Sequence, residues 1–383
     1  SGSSAYLYEL PWYVIIGPPG AGKTTALLNS GLRFPLAESA GGPIAGAGGT
    51  RYCDWWFSEE AVLIDTAGRY TTHDSDAEAD RESWMAFLDL LKRHRPRQPV
   101  NGVILAISLE DLLAGDEAVI EAHATAIRDR LLELQEVFRI EVPVYVLFTK
   151  ADLIAGFTEF FGSFSASRRQ KVWGATFRPA NRREPTLPLV AAEYDALLAR
   201  LSAEVTDRMN EEPDGVARIA IFGFPAQVAM LKDRVIGLLT GVFGSSRYRV
   251  NATLRGFYFA SGTQEGTPID QVLGAMERSF GDMGMLPGAG ASGRGRSYFL
   301  HDLLRKVIFA EAGWVSQDAR AVRRERVLRY GIFTLVLIAT GALAALWGTS
   351  FYRNHALVRS AEAEMARYRD EARLELEKTE ITD

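Results

Sequence analysis

The chain has 383 residues, 47% of them hydrophobic and 24% charged, with a formal net charge of −5. That length exceeds one typical domain and supplies ample core. The acidic balance argues against a nucleic-acid binder, whose electrostatic footprint is usually basic. A single cysteine, Cys53, excludes an intramolecular disulfide. The five histidines, His73, His94, His123, His301 and His355, show no metal-ligand spacing.

No signal peptide opens the chain, and Ser1-Gly2-Ser3-Ser4 reads as a cut linker, so a piece of a longer protein is expected. The apolar run Trp12–Ile16 predicts the first strand. It leads into Gly17-Pro18-Pro19-Gly20-Ala21-Gly22-Lys23-Thr24, a complete G-x-x-x-x-G-K-T loop, and then into a helical stretch over Thr24–Leu32. A strand before such a loop and a helix after it separate the motif from a chance match. Its glycines let backbone N–H groups converge on phosphate oxygens. Lys23 would reach the β- and γ-phosphates, Thr24 would ligate Mg²⁺, and Thr25 continues the lining at the positive end of the helix.

Residues Ala40 to Thr50 form a Gly-rich loop before a predicted strand, Tyr52–Phe57. Thr50 is a candidate Mg²⁺ ligand and catalytic-site hydroxyl of a first switch segment, with a plain flexible loop as the alternative. A strand over Ala61–Ile64 ends in Asp65-Thr66-Ala67-Gly68. In this D-x-x-G pattern Asp65 would hold Mg²⁺ through water, and the Gly68 N–H would sense the γ-phosphate. The next position, where many nucleotide switches carry a water-orienting Gln, is Arg69. An arginine can stabilise charge but cannot act as a base, so Arg69 is a catalytic candidate and any turnover of GTP or ATP is expected to be slow. Whether the nucleotide is hydrolysed stays open.

Further along, a helix over Ser83–Lys92, a strand over Gly102–Ile107, a helix over Asp116–Phe138 and a strand over Val144–Phe148 continue the alternation. Thr149-Lys150-Ala151-Asp152 follows that last strand. Asp152 there would accept from the guanine ring N–H and amine while the Lys150 stem covers the ring, which favours GTP over ATP; a helix-capping Asp is the bland alternative. Residues 155–215, with a helix at Tyr194–Met209, read as a helical insertion. A last strand over Ala217–Phe222, a base-flanking Gly223-Phe224-Pro225-Ala226-Gln227 and a helix over Ala226–Leu239 complete a domain spanning 1–245. Its fold class is α/β, a parallel sheet flanked by helices of the P-loop NTPase, small-GTPase-like kind.

Residues 246–315 read as a small second α+β unit: a β-rich start at Tyr248–Ala260, a Gly-rich loop at Gly284–Arg296 and a helix at Tyr298–Phe309. A basic segment, 316–330, carries Arg320, Arg323, Arg324, Arg326 and Arg329. It precedes a run without charge, Gly331–Tyr352, long enough to cross the roughly 30 Å hydrocarbon core as a transmembrane helix. The arginine bias puts residues 1–330 on the cytoplasmic side. Residues 353–383 read as an exposed helix across the membrane, the start of a periplasmic region.

The phosphate loop with Thr25-Ala26-Leu27-Leu28-Asn29-Ser30-Gly31-Leu32, together with Cys53-Asp54-Trp55-Trp56-Phe57 and Asp65-Thr66-Ala67-Gly68-Arg69-Tyr70, resembles the IcmF/TssM family. Asn101-Gly102-Val103-Ile104, Arg255-Gly256-Phe257-Tyr258-Phe259 and Ser261-Gly262-Thr263-Gln264-Glu265-Gly266-Thr267-Pro268-Ile269 carry the same resemblance. It implies a bacterial inner-membrane core component of a type VI secretion system, with a cytoplasmic nucleotide-binding domain between a membrane hairpin and a large periplasmic region. Implied partners are another inner-membrane subunit, the cytoplasmic baseplate, the outer-membrane lipoprotein through the periplasmic part, and further copies of the chain. The family's phosphate loops are not uniformly intact. Two readings follow: a GTP-controlled switch, or a scaffold whose nucleotide fold only stabilises it.

Overall fold

The computed structural model describes residues 8–40, 44–45, 53–68, 77–178, 184–244, 252–262, 296–314, 316–317 and 319–380. The chain divides into two compact units, residues 1–317 and 318–383.

The first unit is built on a mixed eight-stranded sheet with flanking helices. Its strands are β1 (Trp12–Ile16), β2 (Ile44–Ala45), β3 (Cys53–Phe57), β4 (Val62–Thr66), β5 (Gly102–Ser108), β7 (Pro143–Thr149), β8 (Gly174–Thr176) and β9 (Thr253–Phe259), in the order β2-β3-β4-β1-β5-β7-β9-β8, while the short β6 (Ile140–Glu141) pairs outside this sheet with Ser316–Gln317. The five central strands β4, β1, β5, β7 and β9 run parallel, while β2, β3 and β8 pair antiparallel at the edges. Every residue of β4, β5 and β7 is buried, as expected for strands covered on both faces. The cover comes from α1 (Lys23–Leu28), α3 (Ala77–His94), α4 (Leu109–Ala114), α5 (Glu117–Phe138), α8 (Val190–Glu211), α9 (Gly215–Met230) and α10 (Lys232–Phe243), with the short helices α2 (Pro35–Ala40), α6 (Phe157–Phe161) and α7 (Ala166–Arg169) between them in the chain. From β1 the chain passes to β4 on one side and then to β5 on the other. This reversal beside β1 is where open α/β sheets form a crevice at the carboxyl ends of their strands.

Four expectations are corrected. The sheet is mixed rather than parallel throughout, because the short strands β3 and β8 return along its edges. Ala217–Phe222 is helix, not strand: the Asp214 carboxylate accepts from the Val216 and Ala217 N–H groups and caps α9, whose buried Ile221, Phe224 and Val228 repeat at helical spacing. The last parallel strand is instead Thr253–Phe259, from the segment expected to open a second unit; it is hydrogen-bonded to β7. The 155–215 segment is not purely helical either, since it supplies β8.

Residues 303–314 close the first unit as a π-helical turn and a 3-10 turn, Leu303–Ile308 and Phe309–Trp314. The second unit is one helix, α11 (Ala319–Glu380), which continues without interruption through the apolar run. Two helical stretches of the described chain are long and apolar enough to cross a membrane, Gly215–Phe243 and Phe333–Leu374. The first is α9 and α10 joined at Leu231, and its Phe224, Val228, Leu231, Val235 and Leu239 are buried in the core of the first unit. The described side chains of the second are exposed throughout its apolar part.

Candidate functional site

The loop Gly17–Thr24 leaves the carboxyl end of β1 at that crevice. A Cβ on Gly17 would fall 2.1 Å from the Ala106 carbonyl oxygen of β5, so only glycine lets the chain turn there. Gly20 and Gly22 have φ of 74° and 69°, the left-handed region that glycine adopts freely. Lys23 is buried, and its Nζ donates to the carbonyls of Gly17 and Pro18 at 2.8 and 3.0 Å. Thr24 Oγ1 donates to Asp65 Oδ2 at 2.5 Å, bridging 41 residues of sequence. The other oxygen, Asp65 Oδ1, is buried without a hydrogen-bond partner.

Asp65 sits on β4 beside β1, and Thr66 Oγ1 donates to the Ile15 carbonyl at 2.7 Å, fixing the strand end. Gly68 packs so tightly on the loop that a Cβ would lie 2.4 Å from Pro19 N. Burial shifts the two central charges toward neutrality. Asp65 is raised, chiefly by desolvation, with the Thr24 hydrogen bond and Lys23 opposing and Asp54 adding to the rise. Lys23 is lowered by desolvation, with Asp65 opposing. An anion near Lys23 and a cation near Asp65 would each restore the charged form. The unpartnered Oδ1 beside a threonine hydroxyl fits the hard oxygen donors that Mg²⁺ takes. Among the described residues no group of three or more His, Cys, Asp or Glu is placed to hold a metal unaided. Phosphate oxygens and water would complete the set.

The Thr149-Lys150-Ala151-Asp152 segment faces the same loop, with its parts in unequal roles. Thr149 Oγ1 donates to the Ala21 carbonyl at 2.8 Å and lies 3.3 Å from that of Ile107, so it holds the loop in place. Lys150, at φ 57°, pairs its Nζ with Glu110 Oε2 at 2.6 Å. Asp152 is buried and accepts from Ser261 Oγ at 2.6 Å. Its carboxyl is raised by desolvation, with the Ser261 bond opposing.

Ser261 follows β9, and the Ala151 N–H donates to the Ala260 carbonyl at 3.1 Å. Ala260-Ser261-Gly262 therefore forms the wall expected of Gly223–Gln227. That candidate lies inside α9, where the Phe224 ring packs tilted against Phe160 in an aromatic core. The missed signal is the small polar pair Ser261-Gly262 just after the β-rich run Thr253–Phe259, a polar end to an apolar strand as at β4 and β7. Thr50, Arg69 and His73 lie outside the described residues.

Two adjoining cavities share Gly20, Lys23 and Thr24. One, of about 420 Å³, is lined by Gly20–Ala26, Thr149, Lys150, Ala260, Gly262 and Leu300. The other, of about 230 Å³, is lined by Pro19, Gly20, Lys23, Thr24, Cys53, Asp54 and Asp65–Gly68. The larger has the size of a small-molecule site. Among the described residues neither lining includes a His or a Gln.

The family model described as IcmF-related N-terminal domain matches residues 77–336. The chain is 46% identical over 359 residues to the type VI secretion system component TssM1 of Pseudomonas aeruginosa, covering 93% of this chain and 32% of that protein. It thus spans about a third of the length of this curated relative. Among solved structures it is similar to the signal recognition particle receptor SRb-GTP/SRX complex from Chaetomium thermophilum, at 26% identity over 39% of this chain and 75% of the other, TM-score 0.24. It is also similar to a GDP-bound mutant of the S. thermophilus FeoB G-domain, at 10% identity over 61% of this chain and 96% of the other, TM-score 0.24.

Proposed function

The chain belongs to the IcmF-related family, and on that premise we propose that it is the nucleotide-binding part of an inner-membrane subunit of a type VI secretion system. The 46% identity to a type VI secretion component supports the system. The apolar stretch of α11 supports a membrane span, and the arginines before it support a cytoplasmic location for residues 1–330. Its first unit is a P-loop NTPase fold of the small-GTPase kind. It takes Mg²⁺-GTP, with ATP the weaker ligand, and contacts an inner-membrane partner subunit and the cytoplasmic baseplate. The outer-membrane lipoprotein is reached through the periplasmic part of the longer protein, and several copies assemble together.

One observation carries nucleotide binding: Thr24 and Asp65 meet beneath a loop whose glycines allow backbone turns closed to other residues. Gly17–Gly22 would cradle the phosphates, with Lys23 neutralising their charge and Thr25 lining the same cavity. Thr24 and Asp65 would hold the cation, with Thr50 as a further ligand. The cation supplies charge neutralisation on the phosphates when bound. Asp152, set by Ser261, would accept from the guanine edge while Lys150 covers the ring. Gly68 would sense the terminal phosphate from its contact with Pro19, and Arg69 would face the developing charge.

A second reading, a scaffold in which nucleotide does not act, draws on Lys23. Its ammonium is satisfied by two carbonyls of its own loop, so the loop keeps its shape without phosphate. Titration of the purified chain with labelled GTP, GDP and ATP, with and without Mg²⁺, separates the two. Guanine-selective, Mg²⁺-dependent binding that differs between GTP and GDP supports the switch, since equal affinity for both states shifts nothing. Lys23→Ala is expected to weaken binding roughly 10- to 100-fold. An unchanged affinity in that variant sinks the assignment of the loop.

A further inference from the structure

We propose that Asp54 is a second carboxylate of the cation site, facing the metal from β3 as Asp65 does from β4; the proposal rests on the nucleotide-binding reading above. Asp54 stands directly opposite Asp65 in the antiparallel β3–β4 ladder. Residues so paired project to the same face of the sheet with Cβ atoms about 5 Å apart. Both carboxylates line the smaller cavity, with Thr24 and Lys23.

Such a pair is destabilising by itself, because like charges directly opposite repel. Asp65 is 6% exposed, and its Oδ1 has no partner. No hydrogen bond or ion pair holds the Asp54 side chain among the described residues. Lys23, the cation lining the cavity among the described residues, directs its ammonium at Gly17 and Pro18. Among the described residues the cavity thus holds two acidic groups and a threonine hydroxyl, with Lys23 the cation that lines it.

The donor set selects the kind of cation. Of the residues lining this cavity, Asp54, Asp65 and Thr24 offer oxygen donors. Oxygen donors alone suit a hard divalent ion, and Mg²⁺ is usually held by one or two carboxylates plus phosphate oxygens. The neighbours of Asp54 fix its position. Trp55 packs edge-on against Trp12 and Trp56 against Phe34, each with ring centroids 5.2 Å apart. The Cys53-Asp54-Trp55-Trp56-Phe57 motif then reads as one device, aromatic anchors holding a carboxylate opposite Asp65.

The test uses the full chain saturated with GTP, Mn²⁺ titrated in and free Mn²⁺ read by electron paramagnetic resonance. A parallel titration measures a fluorescent GTP analogue in EDTA. Asp54→Asn is expected to weaken Mn²⁺ about tenfold, in the range seen when groups around a metal site are removed. Its metal-free affinity for the GTP analogue should be unchanged or higher, and Asp54→Glu should recover part of the Mn²⁺ affinity. Wild-type Mn²⁺ affinity in Asp54→Asn, with loss in Asp65→Asn, overturns the inference and leaves nucleotide binding intact. A fall in melting temperature of Asp54→Asn with no change in Mn²⁺ affinity also overturns it, making Asp54 a structural partner. If Asp54→Asn does not fold, Asp54→Ser decides: weakened Mn²⁺ affinity with the GTP-analogue affinity in EDTA kept supports the inference, and wild-type Mn²⁺ affinity, or equal loss of both, overturns it. Failure of the wild-type chain to bind the GTP analogue at all brings down the underlying reading and the inference with it.

Discussion

Asp65 and Lys23 are placed where each alone is unfavourable, and that gives the site a measurable signature. The folded state raises the Asp65 carboxyl, so it binds more protons there than the unfolded chain does. Stability must then fall as pH rises from the ordinary carboxylate value through the raised one. Asp65→Asn keeps an acceptor for Thr24 and removes the buried charge. The variant without ligand is expected to melt a few degrees above wild type at neutral pH, with the gap closing near pH 4, in melts recorded across pH. A variant that melts lower at pH 7 would mean that Asp65 already has its counter-charge. Lys23, Thr24, Asp65 and Asp152 are legible in the sequence because their motifs follow apolar strands at set spacings. Ser261 is not, for it reaches Asp152 across 109 residues, and the loop-holding role of Thr149 needs the position of Ala21.

Helix α9 and strand β9 show where local pattern misleads. The run Ala217-Arg218-Ile219-Ala220-Ile221-Phe222 is apolar enough for either state, and the capping Asp214 decides for helix. Asp214→Ala is expected to lower stability by about 1 kcal/mol in urea unfolding; no change would show that tertiary packing alone holds the helix start. Strand β9 carries a second device. Arg255, 4% exposed, pairs with Glu311 Oε1 at 2.5 Å through Nη2, and its Nε donates to Oε2 at 3.0 Å. Tyr145 Oη donates to the same Oε2 at 2.8 Å, and Asn101 Nδ2 donates to the Ala312 carbonyl at 2.9 Å. Segment 309–314 is thereby latched to β7, β9 and the residue before β5, which gives Asn101 and Arg255, the first residues of the Asn101–Ile104 and Arg255–Phe259 motifs, a structural role. Glu311→Ala leaves a buried guanidinium uncompensated and is expected to cost about 3–5 kcal/mol. Arg255→Met with Glu311→Leu should cost clearly less, and equal losses in both proteins would argue against the pairing account.

At the scale of the whole molecule, the first unit and α11 are separable by composition. Residues 8–317 carry their own core, while the apolar stretch of α11 exposes Phe333, Leu335, Leu337, Ile338, Leu343 and Leu346. The full chain is expected to stay with membranes after carbonate extraction, whereas residues 8–317 should be released. Release of both would remove the membrane span from the proposal. The sequence by itself determined the alternation of strands and helices, the loop and its Asp65 partner, the apolar span and the family. These depend on period, spacing and composition, which neighbours in sequence carry. Only the tertiary structure decided which strand completes the sheet, that Ser261 rather than Gly223–Gln227 meets Asp152, and that Asp54 faces Asp65. Each of these is a pairing between segments far apart in the chain, and its energy exists only once the sheet has brought them together.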